Sequence, residues 1–109
     1  MTDCVLVWTT LGADADTTAF AETLVGERLA ACVTVQAPME SVYRWKGNIE
    51  RDRERQVLIK TTADRLPALA ARVREIHPYE LPEFLVTPVV EGSDAYLAWV
   101  SESTATHLL

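Results

Sequence analysis

The stretch Cys32-Val33-Thr34-Val35-Gln36-Ala37-Pro38-Met39-Glu40-Ser41-Val42-Tyr43-Arg44-Trp45-Lys46-Gly47-Asn48 decides the fold. Its first part, apolar and β-branched from Cys32 to Val35, reads as a strand. Pro38 has no N–H to give to a sheet ladder, so the strand bends there. From Ser41 to Lys46 the pattern alternates with period two, which puts Ser41, Tyr43 and Trp45 on one face. Gly47 and Asn48 both tolerate positive φ and predict a tight turn, after which a third strand returns from about Glu54 to Thr61. The result is a long hairpin arm.

On the N-terminal side of the arm, Cys4 to Thr9 reads as the first strand, and Leu11 to Asp16 with Thr17 and Thr18 supplies a turn and helix-capping residues. A first helix follows, with Phe20, Leu24 and Val25 as its apolar stripe and Glu22, Glu27 and Arg28 outside, ending near Leu29 to Ala31. On the C-terminal side the strand-helix-strand order repeats. Asp64 can cap a second helix, Pro67 falls in its first turn where a missing N–H costs nothing, and Phe84 to Val90 forms strand four. A tail helix spans about Asp94 to Val100, and the end from Ser101 to Leu109, His107 included, carries no assignment. The order β-α-β-β-α-β with a C-terminal helix is the split arrangement of the ferredoxin-like α+β sandwich, an antiparallel sheet with both helices on one face. Val5-Leu6-Val7-Trp8 and Phe84-Leu85-Val86 are apolar on both faces, so the second face needs a cover. A second copy of the chain is the expected one.

With 109 residues, 49% of them hydrophobic, the chain is expected to form one domain over residues 1–109. The formal charge of −6 disfavours nucleic acid and favours cations or cationic ligands. No apolar run reaches the roughly 20 residues that span a bilayer, and Met1-Thr2-Asp3 lacks a positive start, which predicts a cytoplasmic protein with no membrane partner. Cys4 and Cys32 lack CxxC spacing and sit in apolar runs, as reduced, buried thiols do.

The chemistry concentrates in His77-Pro78-Tyr79-Glu80-Leu81-Pro82-Glu83, an imidazole, a phenol and two carboxylates held between prolines. The stripe Leu66, Leu69, Ala70, Val73 and Ile76 continues to His77, so His77 faces inward, and Pro78 ends the helix there. This corner suits a cation or a polarised ligand, with His77 as a metal ligand or polar anchor, and equally a rigid structural turn in which His77 is a satisfied helix-end imidazole favoured by the helix dipole. Lys60 ends an apolar strand and is expected to pair with Glu50 or Glu80, or to reach water. Glu50 to Arg55 alternates in charge and reads as a solvated or ion-paired face beside the arm.

Five segments, Glu27-Arg28-Leu29-Ala30-Ala31-Cys32-Val33, Tyr43 to Glu50, Ile59-Lys60-Thr61, His77 to Glu83 and Tyr96-Leu97-Ala98-Trp99, resemble the divalent-cation-tolerance (CutA) family in order and spacing. The resemblance implies a stable cytoplasmic homotrimer of ferredoxin-like subunits, similar to the PII signalling proteins, with a link to copper and other divalent cations. It places Cys32, Trp45, Glu50, Lys60, His77, Tyr79, Glu80 and Trp99 at clefts between subunits. Of these, His77 and Glu80 are the candidate metal ligands and the remainder, with Glu80, the candidate ligand-binding residues. Trp8 stands where copper-binding members carry a cysteine, and Ile76 where some carry a second histidine. One imidazole with carboxylates suits a borderline-hard divalent ion better than copper(I).

No GxxxxGK, GxGxxG, GxSxG or HExxH sequence is present, so no catalytic residues are assigned. Two alternatives stand beside metal-ion or small-molecule binding. One is a trimeric scaffold or signalling protein without catalysis; the other is an enzyme of unknown reaction using Cys32, His77 or Lys60.

Overall fold

A computed structural model describes residues 2–106. Five strands and three helices follow in the order β1 (Cys4–Gly12), α1 (Thr17–Gly26), β2 (Cys32–Val35), β3 (Met39–Trp45), β4 (Asn48–Thr62), α2 (Leu66–Ile76), β5 (Leu85–Pro88) and α3 (Asp94–Ser103). The sheet is antiparallel with order β2-β4-β1-β5, and β3 pairs with the distal part of β4. This is the ferredoxin-like α+β arrangement read from the sequence. Among the described residues no helix is long and apolar enough to cross a membrane.

Strand β4 is the spine. Its 15 residues pair with β1 and β2 at the inner end and with β3 at the outer end. Side-chain alternation then sorts its residues. Val57 and Ile59 turn to the helices, where they meet Val5, Val7 and Leu11 of β1, Phe20 and Leu24 of α1, and Leu69 and Val73 of α2. Burying each such side chain contributes about 2 kcal/mol before conformational entropy is subtracted. The even positions face the other way. There α3 covers one end of the sheet, where Val100 and Leu97 pack with Cys4, Ala31 and Val89. Trp8 remains half-buried and Leu85 exposed at the uncovered end.

Several boundaries differ from expectation, each for a local reason. The hairpin turn is Lys46-Gly47, with φ of 49° and 83°, and Asn48 is already paired with Trp45. The third strand begins at Asn48 instead of Glu54, so the Glu50–Arg55 charges belong to the arm itself. Helix α1 stops at Gly26 because Arg28 adopts φ of 60° and turns the Leu29 and Ala30 N–H groups back to the Leu24 carbonyl, at 3.0 and 3.2 Å. Asp64 does not cap α2. Its carboxylate accepts from the Thr62 hydroxyl within a 3-10 turn, Ala63–Arg65, that precedes the helix. The fourth strand shrinks to Leu85–Pro88, and α3 runs on to Ser103. Cys4 is buried but Cys32 only half-buried, both as free thiols. His107 lies outside the described residues.

A candidate cation-binding cleft

The corner after α2 is fastened to the sheet through His77. The chain leaves the helix at Ile76, and the His77 N–H still reaches Val73 O at 2.8 Å while its backbone becomes extended before Pro78. The imidazole is buried, with Nε2 2.7 Å from Thr10 O. A carbonyl can only accept, so Nε2 carries the proton, and Nδ1 accepts from the Tyr79 N–H at 3.1 Å. Both ring nitrogens are therefore in use, and burial lowers the His77 pKa from its ordinary value of 6.5. The ring also meets the edges of Phe20 and Tyr79.

Held in this way, the corner faces the hairpin arm across an open cleft of about 760 Å³. The arm contributes Ser41, Tyr43 and Trp45 from β3 and Asp52, Glu54 and Gln56 from β4; the corner contributes Tyr79, Glu80, Leu81, Pro82 and Glu83. The shared face expected for Ser41, Tyr43 and Trp45 is thus one wall.

Neutral donors hold the carboxylates of this cleft. Tyr79 Oη donates to Glu54 Oε2 at 2.6 Å, Tyr43 Oη donates to Asp52 Oδ2, and Gln56 Nε2 donates to Glu83 Oε2 at 3.0 Å. Asp52 pushes the Tyr43 hydroxyl up to about 12, and burial together with Glu54 raises that of Tyr79 above its ordinary value. Glu54 is only 7% exposed and has no ion-pair partner among the described residues. At the rim, Lys46 Nζ lies 3.8 Å from Glu80 Oε2 and 5.5 Å from the centre of the Trp45 ring.

The sequence-selected residues divide into two groups. Trp45, Tyr79 and Glu80 line the cleft, with His77 behind the corner as its anchor. Cys32 and Lys60 are register partners elsewhere on the sheet, where Lys60 Nζ is 3.4 Å from Tyr96 Oη and Tyr96 packs on Trp99 at 5.3 Å between ring centres. Glu50 is half-buried on β4 opposite Tyr43, outside the cleft lining. Gln56, the partner of Thr10, and Lys60 are four positions apart on β4, about 13 Å of strand, so Cys32 and His77 do not form a nucleophile and base pair. Among the described residues no three His, Cys, Asp or Glu side chains gather as a metal-holding group.

Asp52 and Glu54 escaped the reading of the sequence, since a run of alternating charges resembles a solvated face. Their parity was the available signal: they occupy the same alternate positions as Leu58 and Lys60, on the face turned from the helices.

Comparison with known proteins fits this architecture. Residues 5–103 match the family described as CutA1 divalent ion tolerance protein. A divalent-cation tolerance protein CutA from Thermus thermophilus is 45% identical over 84 residues, covering 77% of this chain and 82% of that protein. Protein CutA of Homo sapiens is also 45% identical over 84 residues, but there the chain spans only 47% of its length. The crystal structure of CutA from Xylella fastidiosa superposes with a TM-score of 0.90 at 39% identity, covering 95% of this chain and 100% of that one. The chain belongs to the CutA1 divalent ion tolerance family.

Proposed function

We propose that this protein is a non-catalytic, cation-responsive binding protein whose ligand site is the cleft between the hairpin arm and the His77–Glu83 corner, working as a cytoplasmic homotrimer. The observation that carries the reading is Glu54. A buried carboxylate held, among the described residues, by a tyrosine hydroxyl alone is costly unless a cation completes its surroundings, and the cleft opens directly onto it.

A divalent ion would be taken through the oxygen donors Glu80, Glu83 and Asp52, a set that suits hard or borderline ions more than copper(I). His77 joins that set only after giving up its bond to Thr10 or to Tyr79. The trimer rests on the family resemblance and on the apolar side chains Leu85, Tyr96 and Trp99, exposed in the single chain. On this reading Cys32, Lys60 and Trp99 belong to contacts between subunits.

Calorimetric titration with copper(II), zinc, nickel and cobalt salts tests the site. Saturable heats that vanish in Glu54→Gln and in Glu80→Ala support it; heats unchanged in both variants would remove the cleft as the site. Light scattering at several protein concentrations tests the assembly, and a monomer throughout would overturn it.

A further inference from the structure

The cleft differs in one respect from a site built for a bare metal ion: three of its carboxylates, the buried Glu54, the half-buried Glu83 and the exposed Asp52, already have an oxygen occupied by a hydrogen bond from a neutral donor. Tyr79 holds Glu54, Tyr43 holds Asp52 and Gln56 holds Glu83. These bonds fix the carboxylates in place and leave their formal charge uncancelled. The same tyrosines, with Trp45, give the cleft aromatic walls, and about 760 Å³ is the scale of a small organic molecule. Carboxylates beside ring faces are the surroundings that an alkylammonium group seeks, since the ring quadrupole and the fixed anions act together on a cation that brings its own hydrogen-bond donors.

The chain supplies an ammonium of this kind itself. Lys46 Nζ sits between the Trp45 ring, 5.5 Å from its centre, and Glu80 Oε2, 3.8 Å away, at the rim of the cleft. Deeper in, Glu54 is 7% exposed and has no counter-cation among the described residues. The rim seat is filled by a primary amine of the protein, and the inner seat has the same components without one.

We propose that the cleft binds a linear aliphatic diamine, one ammonium against Glu54 and Asp52 between the tyrosines and the other at Trp45 and Glu80, displacing Lys46. This rests on the cleft being the ligand site and deepens that reading by naming an organic cation as the ligand class. Lys46 then acts as an internal competitor.

The test is calorimetric titration of the native oligomer with a series of linear α,ω-diaminoalkanes from 1,4-diaminobutane to 1,12-diaminododecane, since Glu54 and Trp45 are six register positions apart along the arm, and with butylamine and zinc chloride. Saturable diamine binding, at least tenfold tighter than butylamine, is expected. Glu54→Gln, which keeps the side-chain volume and a hydrogen-bond acceptor, and Trp45→Leu at the rim should each weaken it tenfold or more, with folding checked by circular dichroism. Lys46→Met should tighten it severalfold. Zinc heats without diamine heats would overturn the diamine while leaving the cleft reading in place. Absence of both would overturn the two together, as happens when a second copy of the chain fills the cleft. Diamine heats that survive both Glu54→Gln and Trp45→Leu, or that fade with added salt alone, would reduce the effect to general attraction by an acidic protein and overturn the proposal.

Discussion

The hydroxyl of Tyr79 donates to Glu54 Oε2 across 2.6 Å, and this bond joins the corner after α2 to the middle of β4. Tyr79→Phe leaves a buried carboxylate without its donor, so the variant should lose about 1–3 kcal/mol of unfolding free energy. Urea denaturation at pH 7 measures it. The native hydroxyl also titrates above its ordinary value of 10, so it contributes stability that is full below pH 10 and lost as pH rises beyond it. Tyr79→Phe should therefore lose less stability than the parent between neutral pH and the alkaline limit.

His77 gives the opposite pH dependence. Its native pKa lies below the ordinary 6.5 because the ring is buried, so beneath that pH the unfolded chain takes up a proton that the native one resists. Stability is full above about pH 6.5 and falls as the medium becomes more acid, by at most about 1.4 kcal/mol per pH unit for one proton. In His77→Gln, whose amide can still donate to Thr10 O, the slope of unfolding free energy against pH between 7 and 5 should flatten. An unchanged slope would assign the acid sensitivity to other groups.

Thr9 is fully buried on the helix side of β1, and its Oγ1 has no hydrogen-bond partner among the described residues. Exchanging that hydroxyl for a methyl group in Thr9→Val removes an unsatisfied polar atom at nearly constant volume. The variant should be more stable by about 1 kcal/mol, read as a raised denaturation midpoint with an unchanged slope.

Gly47 takes φ of 83° in the two-residue turn of the arm. A side chain there is strained although the space around it is open, so Gly47→Ala should cost about 1 kcal/mol. The loss should appear as faster amide exchange in β3 and the distal half of β4, with Val57 and Ile59 protected as before.

The sequence reveals most about this protein where burial enforces a pattern. Leu69, Val73 and His77 lie on one inward stripe because a helix packed on a sheet must turn those positions down, and the order of strands and helices follows from such stripes. The arm was less legible. Beyond Glu54 the strand has no core to face, so Glu50–Arg55 is free to be charged on both sides and resembles a loop surface. The turn slipped by one residue because Lys46, whose side chain gives no hint of positive φ, takes a position that Asn48 was better suited to occupy. The cleft stayed hidden for a similar reason, since its Asp52 and Glu54 come from that charged run while its Tyr79 and Glu80 come from a corner 25 residues and more away.

Strand β4 also separates two kinds of evolutionary freedom. Its odd positions Val57 and Ile59 lie in the core, and its even positions Asp52, Glu54 and Gln56 line the cleft. Substitutions at even positions can therefore retune ligand preference while the core sequence is left untouched. Inserting or deleting a single residue between the two stretches has a different consequence, because it inverts the parity and sends the carboxylates to the opposite surface in one step. Descendants of this sequence can thus vary the cleft's charge freely by substitution but are barred from changing the length of the strand that carries it.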